Sequence, residues 1–484
     1  MEKFEPSLEK KEIETDYKEM SLKDYEGLEK DLSPEDKESL DKIVDGAKNI
    51  ISLFDLKTEF SAGREPEEKE IMLILTDEGV EPLVRLALFK AAKETGGDIA
   101  RVILTPRPSE AGQELGKGVE KLFKETDVLW LASSLSKTHS PETSDYINLH
   151  SSLKKLFESK GIFDWRANPE GGIEEIMEKY CNDPEIYNKL YDIKRQTGLS
   201  YLFLVPNGRI LSTTTTTRET LTQGASQENF KEMRERIDKV AEAMKEVKMV
   251  HITSELGTDL MVDPKKSAVF LEDGRVDERS GASNFPFGEW ASAIDLEGTN
   301  GTLIVDGAIT GINRDESGAI KPDRVTNLIR IKIEKGKIIS VEDVEKNKKG
   351  EIISYRKKEG ETTTAEKLIK KLTKANEEYK RKNPEGKSDA FRAAELGIGM
   401  NSQAYRYNNN NERICPYSSL EAEKALGTIH IAFGRNTDLG VEKEDPDYND
   451  PNIHLDNIVM DATLVGIKKN GSKINILEKG ELLV

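Results

Sequence analysis

The chain is short of the features that tie a protein to a secreted, membrane or nucleic-acid setting. It has two cysteines, Cys181 and Cys415, far apart and without CxxC spacing. That excludes a zinc knuckle or disulfide framework and fits a reducing compartment. No apolar run approaches the roughly 20 residues of a membrane-spanning helix. The opening MEKFEPSLEKKEIETDYKEM has no apolar core of the kind a signal peptide needs. Positive charge is in deficit: 72 Lys and Arg face 90 Asp and Glu, for a formal net charge of -18. That balance argues against a nucleic-acid backbone as the main partner. No Gly-x-Gly-x-x-Gly follows an apolar run, so a dinucleotide site is not expected. These absences leave a cytoplasmic protein with neither membrane nor nucleic acid as partner.

What remains is long enough, at 484 residues, for two or three domains with cores of their own. Residues 1–32 are almost wholly polar and are expected to be disordered or a loosely attached helical arm. Order is expected from Ser33-Pro34-Glu35-Asp36, a helix start with a hydroxyl cap, proline at the first position and acids in the first turn. Leu40, Ile43, Val44, Ala47, Ile50, Ile51 and Phe54 follow at helical spacing. Strands over Ile71–Thr76, Ile99–Leu104 and Val128–Ala132 alternate with helices over Pro82–Glu94 and Gly118–Glu125, which predicts a twisted parallel sheet. Ligands of such sheets gather at the carboxyl ends of strands, here Asp77 and Ser133–His139, though polar residues there also simply open loops. A further strand is expected at Ser200–Pro206, an edge strand or exposed loop at Thr213–Thr217, and a helix at Phe230–Met249.

From Val250 onward short alternating runs separated by Gly, Asp and Asn predict a mainly antiparallel second domain, interrupted by a charged helix at Thr364–Lys382. The fold class expected is an α/β N-terminal domain with a parallel twisted sheet, then an α+β, mainly antiparallel C-terminal domain. The boundaries are a charged arm at 1–32, the α/β domain at 33–228 and a metal-binding domain at 229–484.

Of five histidines, two lie in the last quarter. His430 sits in LGTIHIAFGRN, and His454 in NIHLDNIVM, two residues before Asp456. Strand residues two apart share a face, so His454 and Asp456 can reach one metal. Glu289 follows a glycine in NFPFGEW, Glu395 opens ELGIGMN, and Glu423 precedes His430 by seven residues. Carboxylates among apolar residues are costly to bury without a positive partner, and a divalent metal is the simplest one. Singly, each is as well explained as a satisfied core or turn residue. Together they make a metal site the leading reading, with nitrogen and oxygen donors suited to zinc, cobalt, manganese or iron(II).

In the stretches HITSELGTDL, NFPFGE, TLIVDGAI, ELGIGMN, EKALGTIHIAFGRN and IHLDNIVM, in that order, the chain resembles metallo-aminopeptidases of the aminopeptidase T and leucyl aminopeptidase type. The likeness runs from Lys42 to Leu483, with inserted stretches near 164–209 and 344–387. The resemblance implies a dimeric enzyme that removes N-terminal residues from peptides with a pair of divalent cations, zinc, cobalt or manganese. It assigns Glu289, Glu395, Glu423, His430, His454 and Asp456 as metal ligands, with Glu395 also handling the proton. In place of the tyrosine that follows the family's first histidine this chain reads IAFGRNTDLG, with Arg435 or the more distant Tyr448 as substitutes. The acidic pair before that histidine is reduced, since Ala422 precedes Glu423. The same superfamily resembles 2,5-dihydroxypyridine dioxygenase, for which His430, His454 and Asp456 would hold a single iron(II). A third possibility is an inactive, metal-stabilised binding protein.

Overall fold

The computed structural model describes residues 17–30, 32–54, 71–96, 100–105, 122, 126, 128–132, 160, 179–180, 182–184, 186, 209–213, 216–222, 224–274, 282–313, 323–407, 413–416, 418–441, 443–451 and 453–484. The expected helix at 118–125, apart from Leu122, the strand at 200–206 and the loop at 133–139 lie outside them.

The first sheet is parallel in its interior, as the strand–helix alternation predicts. Lys18–Glu19 (β1) and the helix Leu22–Lys30 (α1) lead into Pro34–Ser52 (α2). Ser33 caps α2 by accepting the Asp36 N–H at 3.0 Å, and Pro34 stands in its first turn. One face of α2, from Leu40 to Ile51, is buried against Pro82–Gly96 (α3). Met72–Asp77 (β2) pairs in parallel with Ala100–Thr105 (β3) on one side and Val128–Ala132 (β4) on the other. Every residue of β2 and β4 is buried, as suits strands covered on both faces. Arg209–Thr213 (β5) adds in parallel to β4.

Over its described part the arm is helical at α1 and is joined to the first sheet. β1 adds antiparallel to β3, and Tyr25 of α1 stacks on Phe89 of α3 with ring centroids 5.6 Å apart. Residues 17–30 are therefore attached through a strand edge and an aromatic contact, neither of which composition shows; residues 1–16 and 31 lie outside the described chain.

The short helix Arg218–Thr222 (α4) and Phe230–Met244 (α5) lead into the second sheet. It opens with Val247–Thr253 (β6) and Asp259–Glu272 (β7). The chain then returns to the first sheet with Ala282–Phe285 (β8), which pairs in parallel with β5. Thr213–Thr217 was expected at an edge or in an exposed loop; β8 covers that edge, and Thr213 is buried with its hydroxyl accepting the Trp130 indole N–H at 2.8 Å. The first sheet thus takes strands from both sides of the 228–229 boundary.

The second sheet continues with Glu289–Val305 (β9), Leu328–Glu334 (β10), Lys337–Lys346 (β11) and Ile352–Ser354 (β12). The helix Thr364–Lys382 (α6) matches the predicted bounds and starts with a capping box between Thr363 and Glu366. Ala393–Gly399 (β13) follows, then a small hairpin of Arg406–Tyr407 (β14) and Arg413–Ile414 (β15), and the short helix Ser419–Lys424 (α7). Ile429–Gly434 (β16), His454–Val459 (β17), Thr463–Lys468 (β18), Lys473–Glu478 (β19) and Glu481–Leu482 (β20) complete it. The strand order is β12-β11-β10-β9-β7-β6-β18-β19-β20, with β13, β16 and β17 branching from β9. The long β9 makes the branch possible: its end from Gly301 pairs with β10, and its start from Glu289 pairs with β13. Among the described residues no helix is long and apolar enough to cross a membrane.

Candidate metal centre

Backbone register explains why five distant residues meet. Across the branch, Ala293, Glu395, Ala432 and Asp456 pair in one row over β9, β13, β16 and β17. The next row is Ala291, Gly397, His430 and Ile458; Gly399 pairs with Glu289, and Gly434 with His454. Directly paired residues share a sheet face, and so do residues two apart. Glu289, Glu395, His430, His454 and Asp456 therefore all project from one face. Between them lie only alanine and glycine along those rows, apart from Ile458, which leaves room for the longer side chains to converge.

Gly397 is the tightest point of that floor. A Cβ there would lie 2.0 Å from His430 Cε1 and 2.4 Å from Glu289 Oε1. At the entrance to β9, Gly288 turns the chain with φ +124°, a conformation an L side chain rarely adopts. Its N–H donates to the Glu272 carbonyl, and Glu289 follows immediately.

The ligand atoms form two groups within 4.8 Å among the described residues: Glu289, Glu395 and His430, and Glu395, His454 and Asp456. Neither group joins both histidines. Glu395 belongs to both, with Oε1 3.6 Å from His430 Nε2 and Oε2 3.1 Å from His454 Nε2. Glu289 Oε1 is 3.0 Å from His430 Nε2 yet makes no hydrogen bond, so the two atoms share a neighbourhood without facing each other as donor and acceptor. Asp456 Oδ1 lies 3.1 Å from His454 Nε2 and 3.8 Å from His430 Nε2. The His454 side chain is 21% exposed against 2% for His430, so the face opens toward His454.

A second tier holds these groups. His454 Nδ1 is 2.7 Å from the Arg435 carbonyl, to which it donates, leaving Nε2 as the ligating nitrogen. The Thr310 hydroxyl donates to Asp456 Oδ2 at 2.7 Å. Arg435, expected as a tyrosine substitute, thus serves the site through its backbone. Tyr448 packs beside Leu439 and Val441. Glu423, expected as a ligand, stands in neither group; its Oε1 is 3.0 Å from the Lys424 ammonium.

Lys424 and Glu272 are the residues that sequence reasoning missed. The Lys424 ammonium contacts Glu272, Glu289 and Glu423, and all four residues are buried. A lysine at the end of a short helix and a glutamate ending a charged strand give no signal until register brings them together.

Burial and neighbouring charge pull these groups in opposite directions. Burial works to raise the Glu289 carboxyl, but Lys424 and His430 outweigh it and bring it down to about 2. Burial opposes protonation of His430, yet Glu289, Glu395 and Asp456 hold its imidazole well above the ordinary range. His454 is held up likewise against its burial, by Asp456 and Glu395. Burial pushes Glu272 up to about 7 and Glu423 well above the carboxylate range, in each case against Lys424. The carboxylates of Glu289, Glu395 and Asp456 with the imidazoles of His430 and His454 make a set of oxygen and nitrogen donors that fits a divalent metal.

The comparisons with known proteins bear on the fold. The family model for NicX, 2,5-dihydroxypyridine 5,6-dioxygenase, matches residues 204–347. That stretch includes Glu272 and Glu289 but ends before Glu395, His430, His454 and Asp456. No curated protein matches. Among solved structures, 2,5-dihydroxypyridine dioxygenase from Pseudomonas putida KT2440 is similar with a TM-score of 0.52 and 14% identity, over 91% of this chain and 97% of that one. Wild-type AmpT from Thermus thermophilus has a TM-score of 0.44 and 15% identity, over 90% of this chain and 99% of that one. The first of these likenesses shows that the two-sheet fold described above is shared with a known structure.

Proposed function

We propose that this protein is a metal-dependent aminopeptidase, hydrolysing N-terminal residues of peptides at a dinuclear centre, and that it acts as a cytoplasmic homodimer. The observation that carries the reading is Glu395, with one oxygen toward each histidine and membership of both ligand groups. Glu289 and His430 would complete one ion's set, and His454 and Asp456 the other's. Bound there, the cations would supply Lewis-acid polarisation of the scissile carbonyl and an acidified water. The chain's own residues do the rest. Arg435 and Thr310 orient His454 and Asp456, and Gly397 keeps the floor clear. Having both oxygens engaged favours a ligand role for Glu395 over the proton-handling role expected from the resemblance. The partly exposed edge at His454 is where substrate would enter.

The test is elemental analysis of protein purified without chelator, together with cleavage of one peptide bearing either a free or an acetylated N-terminus. Two zinc, cobalt or manganese ions per chain, with cleavage of the free peptide alone, is the expected outcome. A protein without metal after reconstitution would sink the proposal and favour the inactive binding protein.

A second reading, a mononuclear iron(II) dioxygenase of the dihydroxypyridine type, is favoured by the family match over residues 204–347. It predicts one iron per chain, retained in Glu289→Ala, with oxygen consumed on a dihydroxypyridine.

A further inference from the structure

Lys424 is a cation buried in the middle of the site, and neither group of ligands includes it. An ammonium is costly to remove from water, and only well-placed carboxylates offset that cost. Here three surround it, Glu272, Glu289 and Glu423. The atoms it holds are specific. It takes Glu289 by Oε2, while Glu289 Oε1 remains buried beside His430 without a hydrogen bond. It lies 3.0 Å from Glu423 Oε1, while Glu423 Oε2 is buried without a hydrogen-bond partner.

The other half of the site is arranged in the same way. Thr310 holds Asp456 Oδ2, leaving Oδ1 beside both histidines. In each half, then, a donor fastens one carboxylate oxygen and leaves its twin among the ligand atoms. A free carboxylate can bind a cation through either oxygen or both; one with an oxygen fastened presents a single atom in a fixed direction.

We propose that Lys424 is a positioning residue of the metal centre, holding Glu289 Oε2 so that Oε1 alone serves the group of Glu289, Glu395 and His430. The inference rests on the two-cation reading. Glu272, the cross-strand partner of Glu289, is a further counter-charge that holds Lys424 in place.

The experiment is a cobalt(II) titration of full-length, chelator-treated protein, followed by calorimetry and visible absorption. Wild type should bind two ions in separable steps, and Glu289→Ala should identify the step that depends on Glu289. Lys424→Met should weaken that same step by roughly 10–100-fold, leave the other unchanged and alter the first step's absorption bands. Lys424→Arg, which keeps a donor, should recover most of the affinity. Because Lys424→Met leaves excess buried negative charge, the double variant Lys424→Met/Glu272→Gln removes one charge of each sign and guards against failure to fold. It should show the same weakened step. Two steps at wild-type affinity in either variant would reduce Lys424 to a charge balancer and overturn the proposal. A wild type that takes up one ion or none would overturn it together with the two-cation reading.

Discussion

The two sheets spend burial differently. In the parallel sheet, β2 and β4 are buried throughout, and their residues are mostly aliphatic. Its polar groups serve the fold: Asp77 at the end of β2 accepts the Gly79 N–H at 2.8 Å, and Thr213 accepts the Trp130 indole. At the branch of the antiparallel sheet, by contrast, Glu289, Glu395, His430 and Asp456 are buried over a floor of alanine and glycine, together with Glu272 from β7 and Glu423 and Lys424 from α7. The first arrangement is what stability alone favours. The second is expensive and makes sense only if something compensates the charge. Polar residues at strand ends in the first sheet were a reasonable place to look for ligands, but Asp77 is occupied in a turn, and 133–139 lies outside the described residues.

The contrast can be broken by mutation, beginning with the largest effect. Glu395→Ala should cost at least about 10³-fold in turnover and lower metal content, because a ligand common to both groups supplies several kcal/mol of charge stabilisation. Turnover and elemental analysis check this, and thermal melting should show the apo-protein still folded. Trp130→Ala should do the reverse, lowering stability by about 3–5 kcal/mol through the cavity in the first sheet while metal content stays at the wild-type value. Denaturant unfolding and elemental analysis decide whether the two sheets separate in this way.

A third test is a pH dependence. Burial, with Asp461 nearby, pushes the Asp306 carboxyl up to about 7, against its hydrogen bond from the Met460 N–H. An acid with a raised pKa favours the folded state only while protonated. It therefore costs nothing near pH 4, and the cost grows through the interval up to about 7 and levels off above it. Asp306→Asn should accordingly gain up to about 4 kcal/mol over wild type at pH 8 and little at pH 4, read from denaturant unfolding at each pH. A gain equal at both pH values would remove the charge from the explanation. The smallest expected effect is Thr310→Val, which frees Asp456 Oδ2 and should weaken cobalt binding by about 10-fold, whereas Thr213→Val should leave it unchanged.

Much of the fold was legible because its signals are local. The Ser33-Pro34 cap, the continuous apolar strands and the bounds of α6 depend on neighbours within a turn or a pleat. The candidate ligands were legible for another reason: histidines and carboxylates in glycine-flanked apolar runs are out of place unless they act together. Glu272 and Lys424 lacked that mark, sitting among other charged residues where a solvated face is the ordinary reading. The position of β8 was illegible because nothing in ASNF distinguishes a strand of one sheet from a strand of the other.

The sequence by itself determined many of the strands and helices, though not that the predicted helix at Phe230–Met249 gives way to β6 at Val247, and which side chains can bind a cation, since periodicity, capping and donor chemistry belong to short stretches of chain. Tertiary structure alone decided that β9, β13, β16 and β17 lie side by side in a register that places Glu289, Glu395, His430, His454 and Asp456 on one face, with Lys424 against them. The physical reason is that pairing strands separated by up to 165 residues, from Glu289 to His454, is set by how whole sheets bury their apolar faces. Shifting one strand by a single residue would leave every local signal intact and turn its ligands to the opposite face.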